Sequence, residues 1–181
     1  MPPSAKITKG LIEPGKFMLD TGVLRKRIIT NDLERRTLHQ VLQGNTGKIF
    51  MIWIGSRPSR VDQCPWTSGF WNKFISRNYA AVRPVVIEST WHMHTNTAPA
   101  YVDELQTAEA AFWTEDKWDA DDSVSKRVGL VDHMRDKIIP AVIVVVRPDL
   151  YVAFSCLVTS LKDMDSAFEY LDGYFKHEDS T

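Results

Sequence analysis

Ile139-Pro140-Ala141-Val142-Ile143-Val144-Val145-Val146-Arg147-Pro148-Asp149-Leu150-Tyr151-Val152-Ala153-Phe154 is the stretch that decides the fold. A proline opens a β-branched run, Pro-Asp follows, and a second apolar segment returns. Val and Ile stiffen extended backbone, and Pro148 presets φ for the first corner of a turn. The stretch reads as a buried hairpin.

On its C-terminal side, Met164, Ala167, Phe168, Leu171, Tyr174 and Phe175 form a helical stripe that closes the chain. Working back toward the N-terminus, Val85-Val86-Ile87 and the run Lys48 to Gly55 are continuously apolar. Such runs mark strands covered on both faces, typically central ones. Trp66, Phe70, Trp71, Phe74 and Ile75 are spaced as on a helix. Residues 89–122 read as an insertion, with a helix expected over Tyr101 to Trp113 because Pro99 sits near its first turn. Thr37-Leu38-His39-Gln40 is a capping-box pattern, followed by the apolar face Leu38, Val41, Leu42 and a stop at Gly44. Val23 to Thr30 reads as a strand with Val23, Arg25 and Arg27 on one face. Residues 1–20 read as an extended arm.

The order of these elements is strand-helix-strand-helix-strand, then hairpin, then helix. The Ile-Pro pair with its hairpin resembles the last hairpin of the thioredoxin fold, where that proline is cis beside the active surface. More narrowly, Val145-Val146-Arg147-Pro148-Asp149 with Tyr151-Val152 resembles the C-terminal domain of FAD-dependent phenol 2-monooxygenases. The resemblance runs unevenly from Gly15 to Phe175, through Ile49 to Gly55 and the short block Val128-Gly129-Leu130-Val131-Asp132. Leu150 departs from it, standing where relatives often carry Gly or Gln. The resemblance implies an α/β, thioredoxin-like fold over residues 1–181 as a single domain, with a central mixed sheet flanked by helices. It also implies subunit contacts, hence a homodimer, because this domain lies away from the flavin. Flavin and substrate are bound by other domains of that family, so its hydroxylase activity does not transfer.

Composition narrows the classes further. The chain has 181 residues, 44% hydrophobic and 25% charged, with net charge −1. That is an ordinary globular balance, and it implies no general attraction to nucleic acid or anionic membrane. The cluster Arg25-Lys26-Arg27 reads as a solvated strand face. No apolar run is long enough to cross a bilayer, and Met1 to Lys6 lacks a signal peptide's apolar core. Two cysteines, Cys64 and Cys156, are too few for a disulfide scaffold, so a cytoplasmic protein is the default.

Chemistry-bearing residues are sparse. Thiol exchange needs a thiolate and a resolving partner, yet no CxxC exists; Cys64 stands alone in its loop and Cys156 reads as a small core residue. No GxGxxG follows a strand, so no cofactor is expected. In an extended Trp91-His92-Met93-His94, both imidazoles point to one side. HxH alone is a weak metal motif, and no metal is assigned; general acid-base work suits imidazole better, against the plainer reading of a loop edge. Glu88 joins His92 and His94 as the candidate acid-base set. Trp53 and Trp71 fall on apolar faces, whereas Trp66, Trp91, Trp113 and Trp118 lie near loops or helix ends. Trp66, Trp91, Trp53 and Arg147 form the candidate substrate-binding set. The acidic run Glu115-Asp116, Asp119, Asp121-Asp122 is most simply a solvated loop, although a carboxyl buried beside aromatics would protonate a substrate instead.

Two functions are therefore expected from different classes. One is a cofactor-independent cyclase or isomerase acting on a phenolic or prenylated aromatic metabolite in natural-product biosynthesis. The other is a non-catalytic dimerisation or accessory module, including one that serves a flavin monooxygenase in trans.

Overall fold

The computed structural model describes residues 10–26, 34–43, 47–56, 73–77, 79–89, 111–115, 117–133 and 140–178. Its strands are β1 (Leu24–Lys26), β2 (Arg35–Arg36), β3 (Ile49–Ser56), β4 (Val82–Ser89), β5 (Ala111–Glu115), β6 (Ala141–Val146) and β7 (Val152–Val158). The helices are α1 (Leu38–Gln43), α2 (Val124–Arg127) and α3 (Leu161–Glu178), with a helical segment at 73–77 and a 3-10 turn at Val131–His133. The strands make one sheet in the order β2-β1-β5-β4-β3-β6-β7. β3, β4 and β5 run parallel, while β6, β7, β1 and β2 join antiparallel. This is a mixed α/β sheet, as the hairpin and the two apolar runs implied.

The apolar runs occupy the positions their composition demands. β3 lies between β4 and β6, and β6 is buried along its whole length. Alternation sends Met51, Trp53, Val86, Ile143 and Val145 toward α3, where Met164, Phe168 and Leu171 cover them. Phe50, Ile52, Ile54, Ile87, Val142 and Val144 face the opposite way, toward α1 and α2. Each large side chain so buried contributes about 2 kcal/mol. The capping box forms as read: the Thr37 amide donates to Gln40 Oε1 at 2.9 Å and the Gln40 amide to Thr37 Oγ1 at 3.4 Å. Pro148 and Asp149 make the hairpin turn, with Leu150 at φ 65°. Ile139 lies outside the described residues, and with it the peptide preceding Pro140.

One expectation changes. The helix expected over Tyr101 to Trp113 does not hold at its end, because Ala111–Glu115 is β5, paired in parallel with β4 from Val85↔Ala111 to Ser89↔Glu115. Phe112, Trp113 and Thr114 suit a pleated surface, and a long-range ladder outweighs the local helical spacing. The described part of the arm, from residue 10, is bonded to the rest of the chain. Gly15 N donates to Val152 O and Val152 N to Lys16 O, both at 2.8 Å, while Met18 is fully buried. Thus residues 15–18 run beside the start of β7, on the side that no other strand among the described residues covers.

Among the described residues, no helix is long and apolar enough to cross a membrane.

Candidate functional site

In open α/β sheets, ligands gather at the carboxyl ends of parallel strands, where loops diverge. Here those ends are Ser56, Ser89 and Glu115. Two buried carboxyl groups sit there: Glu88, 7% exposed, and Glu115, 3% exposed. They lie on opposite faces. Val86 faces α3, so Glu88 does too; Trp113 faces the α1–α2 side, so Glu115 does as well.

Glu115 has the more complete surroundings. Residues 117–123 turn back after β5, and Ser123 caps α2: its hydroxyl donates to Trp118 O at 2.6 Å and accepts from Lys126 N at 3.0 Å. That turn delivers Ser125 onto the carboxyl. The Ser125 amide donates to Oε2 at 3.1 Å and Oε1 at 3.3 Å, and its hydroxyl donates to Oε2 at 3.2 Å. Burial pushes the Glu115 carboxyl up to about 7; bonds from Ser125 and Ser123 oppose this, and the Asp122 charge reinforces it.

Glu115 lines a cleft of ≈ 200 Å³. Val23, Leu24, Ala120 and Val124 give it apolar wall, and Lys117 and Asp122 give it charge. The arm closes one side. Gly22 N donates to Asp122 O at 2.7 Å, and a Cβ on Gly22 would stand 2.7 Å from Asp122 Oδ2. A side chain at position 22 would require the Asp122 carboxylate to move aside. One strand-face position back, Trp113 is 3% exposed and its Nε1–H has no acceptor among the described residues.

The sequence-derived set is divided. His92, His94, Trp66 and Trp91 lie outside the described residues, as does Cys64. Glu88 is the penultimate residue of β4, opposite Gly55 and Thr114. Trp53 is a core residue, 6% exposed beneath α3, with Nε1 3.2 Å from where a Gly55 Cβ would stand. Arg147 belongs to the other end of the sheet: Gly55 pairs with Ala141, but Phe50 pairs with Val146. Six residues of strand put it about 20 Å from Ala141. Its side chain is half-exposed and paired with Asp149 across the turn. Arg147 and Glu88 therefore serve no common site.

Glu115 was grouped with a solvated acidic run. Asp119, Asp121 and Asp122 are exposed as that reading requires, but Glu115 is not. The signal was its position directly after Phe112-Trp113-Thr114, as the last residue of an apolar strand. Cys156 is free and buried, its thiol pushed up to about 12 by burial and by the neighbouring Asp163 charge. Among the described residues, no group of three or more His, Cys, Asp or Glu is placed to hold a metal.

No protein-family model matches the chain, and no curated protein matches it. Solved structures do. A thiol peroxidase from Chromobacterium violaceum superposes with a TM-score of 0.57 at 11% identity, over 90% of this chain and 88% of that one. A Chlorobium tepidum chain provisionally designated thiol:disulfide interchange protein DsbE gives 0.53 at 10% identity, over 90% and 97%. Mycobacterium tuberculosis AhpC gives 0.52 at 12% identity, over 87% and 93%. Identity this low speaks for the path of the backbone and not for activity. The parallel trio β3-β4-β5, the antiparallel hairpin β6-β7 and the closing α3 are those of a thioredoxin-like fold.

Proposed function

We propose that this chain is a cofactor-independent isomerase or cyclase that moves protons on a small phenolic or prenylated aromatic metabolite in natural-product biosynthesis, with Glu115 as its general acid. The observation that carries the reading is a glutamate, Glu115, that is 3% exposed and nonetheless lines an open cleft. A group titrating at about 7 holds both protonation states near neutrality, which is the condition for efficient proton transfer. The cleft, at ≈ 200 Å³, lies below the ~300 Å³ at which drug-sized pockets begin, so it suits one aromatic ring with a short substituent. His92 and His94 lie outside the described residues and stay acid-base candidates by residue type alone, while Glu88, on the opposite face of the sheet, is a separate candidate from the Glu115 cleft.

The test is incubation of the purified protein with ortho-hydroxyphenyl enones and prenylated phenols, followed by mass spectrometry. The expected result is a product of unchanged mass, formed faster than without protein and lost in E115Q. A product heavier by one oxygen, or equal turnover by E115Q, overturns the reading.

A second reading has its own support. Phe17 and Tyr151, each 43% exposed, meet edge to face at 5.4 Å beside Leu19, 52% exposed. This apolar surface favours an accessory or dimerisation module, alone or with a flavin monooxygenase. Sedimentation at micromolar concentration separates the two: a monomer removes the dimerisation role.

A further inference from the structure

We propose that Asp122 is the base that completes the Glu115 cleft, so that the site works as an unequal carboxyl pair with Glu115 as proton donor and Asp122 as acceptor. The inference rests on the proton-transfer reading above and gives it a second reacting group. Both residues line the same cleft, yet their surroundings differ: Glu115 is buried on β5 and Asp122 is exposed on the returning turn. Two carboxylates that share a small cleft repel, so one keeps its proton, and desolvation selects the buried one. Pairs whose environments drive their acidities apart are the usual division of acid from base.

The position of Asp122 is fixed rather than incidental. Its carbonyl accepts the Gly22 amide at 2.7 Å, and its carboxylate fills the space beside Gly22 that a Cβ would take. Among the described residues that line the cleft, the turn contributes Asp122 and Lys117 as charged groups, while Gly22, Val23, Leu24, Ala120, Ser123 and Val124 carry no charge. Asp122 is thus the second carboxyl group that lines the cleft and the one positioned to accept a proton there, while Lys117 lines the same cleft as a cation for a phenolic oxygen.

For an ortho-hydroxyphenyl enone the step balances as follows. Asp122 takes the phenol proton, and the phenol oxygen's electron pair forms a C–O bond to the β-carbon. The alkene pair moves onto the α-carbon, which takes the Glu115 proton as a new C–H bond. The product is an isomer; water at the open cleft then carries the proton from Asp122 back to Glu115.

The experiment has two arms. In the first, carbon-13 carboxyl labelling of glutamate, with E115Q to assign the signal, follows the titration of Glu115. D122N is expected to lower its midpoint by about half a unit or more, because the nearby negative charge is gone. An unchanged midpoint overturns the pairing. In the second, 2-hydroxyphenyl propenyl ketone is the probe substrate. D122N is expected to lower kcat at least about tenfold with KM nearly unchanged, D122E to recover part of it, and Gly22→Ala to lower kcat by displacing the carboxylate. Equal kcat in D122N overturns the base role even where the midpoint shifts. No turnover by the wild type, with a shifted midpoint, overturns the proton-transfer reading and leaves an electrostatic pair without catalysis.

Discussion

The Tyr79 hydroxyl donates to the Asp172 carboxylate, joining the chain just before β4 to the exposed side of α3. Arg77 completes the junction from the same segment, with Nε 3.3 Å from the second Asp172 oxygen and its guanidinium 4.6 Å from the centre of the Phe168 ring. Burial, and then Asp172, hold the Tyr79 phenol well above the ordinary tyrosine range. Tyr79→Phe keeps the stacking with Phe175 but removes the hydroxyl. The expected cost is about 1 kcal/mol in urea-induced unfolding. An unchanged midpoint would show that Arg77 alone holds Asp172.

Glu115 gives the fold an unusual pH dependence. Its folded value, about 7, lies above the 4.5 of an unperturbed glutamate, so its favourable contribution is complete below 4.5 and disappears as pH rises through 7. The difference amounts to about 3 kcal/mol. E115Q removes the ionisation, so the variant is expected to gain stability relative to wild type between pH 5 and pH 8. Thermal unfolding of both proteins across that window measures it. A constant difference would mean that Glu115 titrates normally.

The start of α3 behaves in the opposite sense. Burial raises Asp163, but bonds from the Thr159 amide at 3.0 Å, the Thr159 hydroxyl at 2.9 Å and the Ser160 hydroxyl at 2.9 Å outweigh it and leave the carboxyl below 3.8. Its contribution is therefore present above 3.8 and lost as the carboxyl protonates in acid. D163N is expected to cost about 1 kcal/mol at pH 7 and progressively less as pH falls below 3.8. A cost independent of pH would contradict this account.

Cys156 sits on β7 beneath the first turn of α3, its Sγ 3.8 Å from Asp163 O. A thiol at about 12 is protonated throughout the neutral range and is a poor nucleophile. Iodoacetamide at pH 8 is expected to leave Cys156 unmodified in the folded protein and to label it fully in denaturant. Peptide mapping reads the outcome. Rapid labelling of the native chain at this position would mean that α3 opens readily.

Elements whose cause is local or strongly apolar were legible in the sequence. The Thr37–Gln40 box needs three residues of spacing, and the 139–154 hairpin declares itself through branching and a Pro-Asp corner. β5 was not legible, because its five residues become a strand only by pairing with β4, more than twenty positions earlier in the chain. The same holds for Glu115. Its burial is made by Leu24 from β1 and by Val124 and Ser125 from α2, and no local pattern announces that meeting. Arg147 shows the converse error. A distinctive motif drew attention to it, yet the motif is a turn signature, and the side chain simply pairs with Asp149.

The way residues 12–18 run beside β7 has a consequence for how the molecule stays solitary or finds company. A bare outermost strand recruits other strands, and here the chain's own leading segment occupies that role, clasped by the Ser155 hydroxyl at Ile12 O and by His39 at Met18 O. Trimming that segment would remove more than a tail. It would unroof Met18's niche and leave the Val152 amide and carbonyl, at the start of an edge strand, open to another strand.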